Sequence, residues 1–192
     1  MLHLHEALAN LLEYPGQDWE ERLAACRQSL RAEPPEQLAR YEEFCRRTDD
    51  FTLFALQELY TQTFDLNPVC ALEVGHHLFG EDYRRGFFLA HLRETESPFA
   101  LGQAQQLPDY LPVLLRLLSK LGDGELRHDL MEVCLLPALG KMCAALQESD
   151  NPYSPLIHLV SDAVKAEVGD VQCCDTNVVA SKAKTFLPVL AT

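Results

Sequence analysis

The sequence predicts an all-α fold, a single-domain helical bundle of about eight to ten helices. Apolar residues recur at spacings of three and four along most of the chain, whereas the alternation typical of strands is absent. A chain of 192 residues with 47% apolar and 23% charged residues suits one hydrophobic core. We therefore expect a helical domain over residues 1–168, followed by a loosely held tail over residues 169–192.

Four helices are predicted in the first third of the chain, and proline or glycine marks their limits. The first ends at Tyr14-Pro15-Gly16, and Pro34-Pro35 separates the second from the third. The fourth should end near Asp65, because Asn67-Pro68 continues a helix poorly. The apolar residues at helical spacing are Leu4, Leu8, Leu11 and Leu12, then Trp19, Leu23, Cys26 and Leu30, then Leu38, Tyr41, Phe44 and Cys45, and finally Phe51, Phe54, Leu59 and Tyr60.

Two helices and a loop are predicted in the middle of the chain. A short helix over residues 71–79 can end at Gly80, since glycine suits a helix terminus. Asp82 can cap a longer helix that follows. From Glu94 to Gln106 the sequence has little periodicity and contains glycine, Ser-Pro and several glutamines. This segment is predicted to be a long mobile loop.

The last third predicts three more helices. Asp109 is expected to cap the first of them, with its carboxylate accepting the amide N–H of Leu111. The second is long, and Pro137 is predicted to kink or split it. The third begins at Asn151-Pro152. The tail beyond it is apolar enough to dock somewhere, through Val178, Val179, Phe186, Leu187 and Val189.

Charge and cysteine usage bound the classes of partner. The formal net charge is -13, from 29 acidic and 16 basic residues, so the chain repels phosphate backbones and attracts cationic segments. We expect no nucleic-acid partner and no stable membrane insertion, because the N-terminus lacks a signal-peptide pattern and no apolar run approaches the ~18 residues of a bilayer span. Seven scattered cysteines indicate free thiols, hence a cytoplasmic protein.

Catalytic signatures are not recognisable in this sequence. The Gly-x-Ser-x-Gly, P-loop and Gly-x-Gly-x-x-Gly motifs and a Cys-x-x-Cys pair are all missing, so we expect no cofactor and no metal. His76 and His77 are adjacent, and neighbouring helical residues point about 100° apart, which is wrong for joint chelation. A metal-dependent hydrolase using this pair with nearby carboxylates is the alternative hypothesis.

Three segments share a resemblance to a known family. They are Tyr60-Thr61-Gln62-Thr63-Phe64-Asp65-Leu66, Arg84-Arg85-Gly86 and Leu107-Pro108-Asp109-Tyr110-Leu111-Pro112. In this order they resemble the NarJ/TorD family of cytoplasmic chaperones that assemble molybdenum enzymes, and the NarJ type in particular. Further similar segments are Leu11-Leu12-Glu13-Tyr14-Pro15, His76 with Gly80-Glu81-Asp82, Leu136-Pro137-Ala138-Leu139 and Asn151-Pro152-Tyr153. The family's Ser-Leu-Tyr-Leu-Thr stretch is altered here to Cys70-Ala71-Leu72-Glu73-Val74.

The resemblance implies a chaperone that is not an enzyme. Its partner would be the apo form of the catalytic subunit of a molybdopterin-containing oxidoreductase of the nitrate reductase type, held by its N-terminal segment before membrane attachment or export. A purely structural adaptor is a third hypothesis, and monomer and dimer both stay open. The expected client-binding residues are Tyr60, Phe64, Asp65, His76, Asp82, Asp109 and Tyr110, and the expected groove-shaping residues are Arg84, Arg85, Gly86 and Pro108.

Several of these residues also have a structural interpretation. Tyr60 and Phe64 lie four apart on one helix face, which suits a core pair as well as a contact pair. We expect Arg84 and Arg85 to form internal salt bridges with Asp65 or Asp109, because they would repel a basic client directly.

Overall fold

Helices in the first half of the chain follow the predicted apolar spacing and its proline and glycine limits. The computed structural model describes residues 3–101 and 106–169, and the predicted tail lies outside these ranges from residue 170 onward. The first helices are α1 (Leu4–Leu11), α2 (Trp19–Ser29), α3 (Pro35–Thr48), α4 (Leu53–Tyr60), α5 (Val74–Phe79) and α6 (Arg84–Glu96).

The second half begins with a leucine-rich helix, Leu111–Lys120. Seven of its ten residues are buried, so it runs through the centre of the bundle. The helices of this half are α7 (Leu111–Lys120), α8 (Glu125–Asp129), α9 (Leu136–Glu148) and α10 (Ser154–Val168). Within the described ranges the regular structure is helical, which confirms the predicted all-α class.

Leucine side chains hold α1 against α7. Leu8 and Leu11 of α1 are fully buried in the same core as Leu114 and Leu118 of α7. Burying one leucine side chain stabilises the folded state by about 2 kcal/mol, so this pair of helices forms a strong central contact. The other main contacts are made by α10, which packs against α3 and α9.

The long helix predicted around Pro137 is interrupted, as expected. A π-helical segment, Leu130–Leu135, joins α8 to α9, and Pro137 lies in the first turn of α9. Proline lacks an amide N–H, so it cannot donate a hydrogen bond to the turn that precedes it. The interruption therefore sets the start of α9.

The predicted loop from Glu94 to Gln106 is partly wrong, because α6 continues to Glu96. Glu96 is buried, and Arg93 donates to its carboxylate at 2.8 Å. Burial raises the pKa of Glu96 above its ordinary value. The predicted limits before α6 are confirmed: Gly80 ends α5 with a φ of 60°, and the Asp82 carboxylate accepts the Arg84 N–H at 2.9 Å.

None of the helices in residues 3–101 and 106–169 combines the length and the apolar character that a bilayer span requires.

Candidate functional site

Two distant motif segments meet through backbone hydrogen bonds. The Val74 N–H donates to the carbonyl of Asp109 at 2.8 Å, and the Leu111 N–H donates to the carbonyl of Leu72 at 2.8 Å. These bonds form a short antiparallel bridge between Glu73 and Tyr110. The Leu-Pro-Asp-Tyr-Leu-Pro segment is thereby fixed against the residues that precede α5.

Asp109 is fully buried and forms an ion pair with Arg85, the second arginine of the Arg84-Arg85-Gly86 motif. Its Oδ2 atom accepts from the Arg85 guanidinium at 3.1 Å and from the Gly75 N–H at 3.1 Å. A Cβ at Gly75 would lie 2.6 Å from this oxygen, so only glycine permits so close an approach. The predicted Arg85–Asp109 ion pair is confirmed. The predicted cap is wrong, because the Leu111 N–H donates to Leu72 instead.

Tyr60 connects the remaining motif segment, Tyr60 to Leu66, to the Leu-Pro-Asp-Tyr-Leu-Pro segment. Its hydroxyl donates to the Leu12 carbonyl at 2.9 Å and lies 3.0 Å from the hydroxyl of Tyr110. Burial raises the pKa of both tyrosines above the ordinary value, so both are neutral at pH 7. We call Tyr60, Tyr110, Asp109 and Arg85, with the backbone of Leu12 and Gly75, the motif network.

Aromatic rings surround Tyr60 on several sides. Tyr14 and Phe64 pack edge-on against its ring at centroid distances of 5.4 and 5.0 Å. Tyr153, just before α10, contacts Phe64 at 4.9 Å. The Asn151 amide donates to the Thr63 hydroxyl at 2.8 Å, so this bond also holds the segment before α10 against the turn that contains Phe64. Tyr60 is thus a buried residue whose ring contacts Tyr14 and Phe64 and whose hydroxyl contacts Tyr110.

An acidic pocket of about 220 Å³ lies beside Phe64 and Tyr110, which both contact Tyr60. It is lined by Phe64, Asp65, Pro68, Ala71, Leu72, Glu73 and Tyr110. Asp65 is exposed and Glu73 is partly exposed, and none of the ion pairs between described residues uses either of them. Both carboxylates add to the effect of burial in raising the pKa of Tyr110, so the pocket is electrically negative.

An apolar groove of about 320 Å³ lies beside Tyr14, whose ring also packs on Tyr60. It is lined by Tyr14, Phe54, Gln57, Glu58, Thr61, Gln62 and Leu66. Phe54 is 76% exposed and Leu66 is 72% exposed, and Tyr14 is also exposed. Clustered exposed apolar side chains of this size mark interaction sites. We call the acidic pocket and the apolar groove together the two-pocket face.

A π-helical turn sets the border between the two pockets. The chain from Thr61 to Asp65 is π-helical, and the Leu66 N–H donates to the carbonyl of Thr61 at 3.0 Å, five residues back. Turns of this kind occur frequently at functional sites. Asp65 lines the acidic pocket and the next residue, Leu66, lines the apolar groove.

The predicted site residues separate into three groups. Phe64, Asp65 and Tyr110 line the acidic pocket. Tyr60 and Asp109 are buried beneath it, so we assign them to the scaffold and not to client contact. The remaining predicted residues, which line neither pocket, are His76, Asp82, Arg84, Arg85, Gly86 and Pro108.

Arg84 pairs with Asp82 at 2.9 Å and not with Asp65 or Asp109, so that part of the salt-bridge prediction is wrong. Gly86 is exposed and Pro108 is buried.

Sequence reasoning missed Tyr14, Phe54, Leu66 and Glu73 as site residues. Phe54 had been grouped with Tyr60 by helical spacing, yet it is exposed while Tyr60 is buried. The useful signal was the offset of Phe54 from Leu56 and Tyr60, which places it on another side of α4. Leu66 carried no such signal, because the π turn shifts the helical phase just before it.

The histidine pair does not form a metal site in the described ranges. The His77 ring nitrogen Nε2 lies 2.6 Å from the Ala71 carbonyl, and burial lowers the pKa of His77. No three His, Cys, Asp or Glu side chains among residues 3–101 and 106–169 are placed to hold a metal ion.

Comparison with known proteins gives relatives along most of the chain. The chain is 27% identical over 161 residues to a probable nitrate reductase molybdenum cofactor assembly chaperone NarJ of Bacillus subtilis (strain 168), covering 83% of this chain and 86% of the relative. It is 26% identical over 186 residues to the nitrate reductase molybdenum cofactor assembly chaperone NarJ of Escherichia coli (strain K12), covering 88% and 76%.

A third relative comes from the same Escherichia coli strain. It is a probable nitrate reductase molybdenum cofactor assembly chaperone NarW, 25% identical over 185 residues, covering 91% of this chain and 78% of the relative. No family model matches the chain. Because each of these relatives is named as a NarJ or NarW chaperone and matches most of the chain, they confirm the resemblance predicted from the sequence: the chain is similar to NarJ and NarW proteins over most of its length.

Proposed function

We propose that this chain is an assembly chaperone for a molybdenum-containing oxidoreductase of the nitrate reductase type. In this proposal it binds the N-terminal segment of the apo catalytic subunit, and it assists cofactor insertion, subunit assembly and quality control before membrane attachment or export. The chemistry of the two-pocket face is the observation that carries the proposal, and the names of the relatives support it.

The two pockets suit a segment that is both apolar and basic. Phe54 and Leu66 offer apolar surface, while Asp65 and Glu73 offer negative charge without a cation among the described residues. An amphipathic helix places apolar side chains on one face and cations beside them, and such a helix fits a groove of this kind. The net charge of -13 adds long-range attraction for a basic segment.

The two kinds of contact have different effects on binding. An exposed ion pair contributes roughly 0–1 kcal/mol, whereas burying one large apolar side chain contributes about 2 kcal/mol. The apolar groove should therefore supply most of the affinity. The acidic pocket should set the orientation of the client and select basic segments over acidic ones.

The two other hypotheses fit the structure less well. A metal-dependent hydrolase would need the histidine pair as ligands, and the Nε2 atom of His77 already makes a hydrogen bond to the Ala71 carbonyl. The relatives are named as assembly chaperones and not as catalysts, which supports a non-enzymatic role. A structural adaptor for an unrelated protein would have no reason to select a cofactor-free oxidoreductase subunit, so client identity separates it from the chaperone.

Capture of the cofactor-free catalytic subunit of a nitrate reductase tests the proposal. Tagged full-length chain should retain this subunit, and deletion of the subunit's N-terminal segment should abolish retention. Asp65→Asn should weaken capture about 3-fold, or ~0.7 kcal/mol, because it removes one exposed carboxylate from the acidic pocket. Circular dichroism should show unchanged helicity.

Asp123→Asn is the matched control, since Asp123 is an exposed acid beyond the other end of α7. Equal retention of subunits with and without the N-terminal segment would contradict the proposal. So would equal weakening by both substitutions, because this would show an effect of net charge alone.

A further inference from the structure

The lining of the two-pocket face matches one segment of the chain itself. Residues 181–192 contain Lys182 and Lys184 and no aspartate or glutamate, although the chain as a whole carries a net charge of -13. The apolar residues of this segment are Phe186, Leu187, Val189 and Leu190. We propose that residues 181–192 occupy the two-pocket face until a client displaces them.

This inference rests on the proposed function, since it assigns the regulation of the same face. It uses the two properties that the pockets offer, exposed apolar surface at Phe54 and Leu66 and uncompensated carboxylates at Asp65 and Glu73. The two lysines can pair with the carboxylates, and the four large apolar residues that follow them can cover the exposed apolar surface. A peptide that satisfies one property alone would leave the other pocket unfilled.

The length of chain after α10 is sufficient to reach the face. Tyr153, just before α10, contacts Phe64 of the acidic pocket with a ring distance of 4.9 Å. A helix of 15 residues rises about 22 Å, so Val168 ends roughly that far from the pocket. The 13 residues between Val168 and Lys182 can span about 40 Å when extended.

The other exposed aromatic patch is a poorer match. Tyr83 and Phe87 on α6 are 73% and 55% exposed and pack against each other. Arg84 lies beside them and already pairs with the carboxylate of Asp82. Glu81 is exposed beside this patch, but the Arg84 cation lies there too, whereas no described lysine or arginine lines the two-pocket face.

A weak contact is sufficient for regulation because the segment belongs to the same chain. A short tether gives an effective concentration on the order of 1 mM. A segment with an intrinsic dissociation constant of about 100 µM would then be bound most of the time and would weaken client binding about 10-fold. Such a brake excludes weak peptides from the face, while a tight client still displaces the segment.

Zero-length carbodiimide coupling on the dilute full-length chain tests the contact without any client. This reagent joins a lysine amine to a carboxylate only where the two touch. In the monomeric product we expect Lys182 or Lys184 joined to Glu58, Asp65 or Glu73, and Asp65→Asn should reduce the yield. Links from these lysines to carboxylates of other faces, or no links at all, would overturn the proposal.

Client capture then tests the regulatory consequence. The full-length double variant Lys182→Glu with Lys184→Glu should bind the cofactor-free nitrate reductase subunit about 10-fold more tightly, because the segment no longer competes. The matched control, Lys120→Glu, reverses an exposed charge at the end of α7 and should leave affinity unchanged. Unchanged or weaker capture by the double variant overturns the competition.

The two proposals fail differently in these experiments. If the links map to the two-pocket face but no variant captures the subunit, the proposed function fails and the contact stands. If every variant captures the subunit equally while the links lie elsewhere, the contact fails and the proposed function stands.

Discussion

The motif network and the two-pocket face are neighbours, yet among the described residues the network consists of buried, paired polar groups and the face of exposed apolar and unpaired acidic side chains. In the network, a fully buried carboxylate on Asp109 meets Arg85 and a backbone amide, and two tyrosine hydroxyls meet each other. In the face, Phe54 and Leu66 are exposed, and Asp65 has no cation partner among the described residues. The most recognisable motif residues therefore mainly build the scaffold, and less conspicuous residues beside them form the contact surface.

This difference implies that stability and client capture are separable by mutation. Substitutions in the network should lower the free energy of unfolding, and substitutions in the face should lower client capture alone.

Asp109→Ala should destabilise the fold by about 3 kcal/mol. It removes the acceptor of the Gly75 N–H and leaves the Arg85 guanidinium, which is only 24% exposed, without its partner. Urea unfolding followed by circular dichroism measures the loss. Asp82→Ala removes a partly exposed partner of Arg84 and should lower the midpoint much less. Similar midpoints for the two variants would show that burial of the Asp109 pair is unimportant.

Tyr60→Phe should destabilise by about 1 kcal/mol, because it removes the hydroxyl that donates to the Leu12 carbonyl. Tyr110→Phe should have a similar effect, since the Tyr110 hydroxyl bonds to that of Tyr60. The double variant should lose less than the sum, by about 0.5 kcal/mol or more, because both substitutions break one shared hydrogen bond. If the two losses of stability add strictly in a double-mutant cycle, the hydroxyls of Tyr60 and Tyr110 do not share a hydrogen bond, which would contradict the motif network.

Phe54→Ser should change the free energy of unfolding by no more than about 0.5 kcal/mol, because the side chain is 76% exposed. It should nevertheless weaken capture of the cofactor-free subunit severalfold through the lost apolar contact. Phe87→Ser is the control, since Phe87 is a comparably exposed aromatic residue on α6. Equal losses of capture for both variants would contradict the assignment of the groove.

The fold was predictable from the sequence because its determinants are local. Leucines at helical spacing, Pro35 at the start of α3 and Gly80 at the end of α5 act within a few residues of their positions. The cap assigned to Asp109 was wrong for the opposite reason. Its carboxylate finds partners 24 and 34 residues away, and local spacing carries no information about such partners.

The site was predictable only in part, because periodicity identifies apolar side chains without telling which of them stay exposed. Asp65 and Tyr110 were found through the family motifs, and both line the acidic pocket. Phe54 shares the helical spacing of core residues and was grouped with them, although most of its surface is exposed. Folding brings Tyr14 beside Tyr60 across 46 positions, and one sequence alone does not reveal this contact.

The π turn from Thr61 to Asp65 also has a consequence for how client choice can diverge. A π turn holds one residue more than an α turn, so deleting a single residue there would rewind the segment as ordinary α-helix. The helix after the turn would keep its direction, because a π turn absorbs one extra residue. Such a deletion would therefore remodel only the border between the two pockets, so the surface can change at this point while the bundle beneath is preserved.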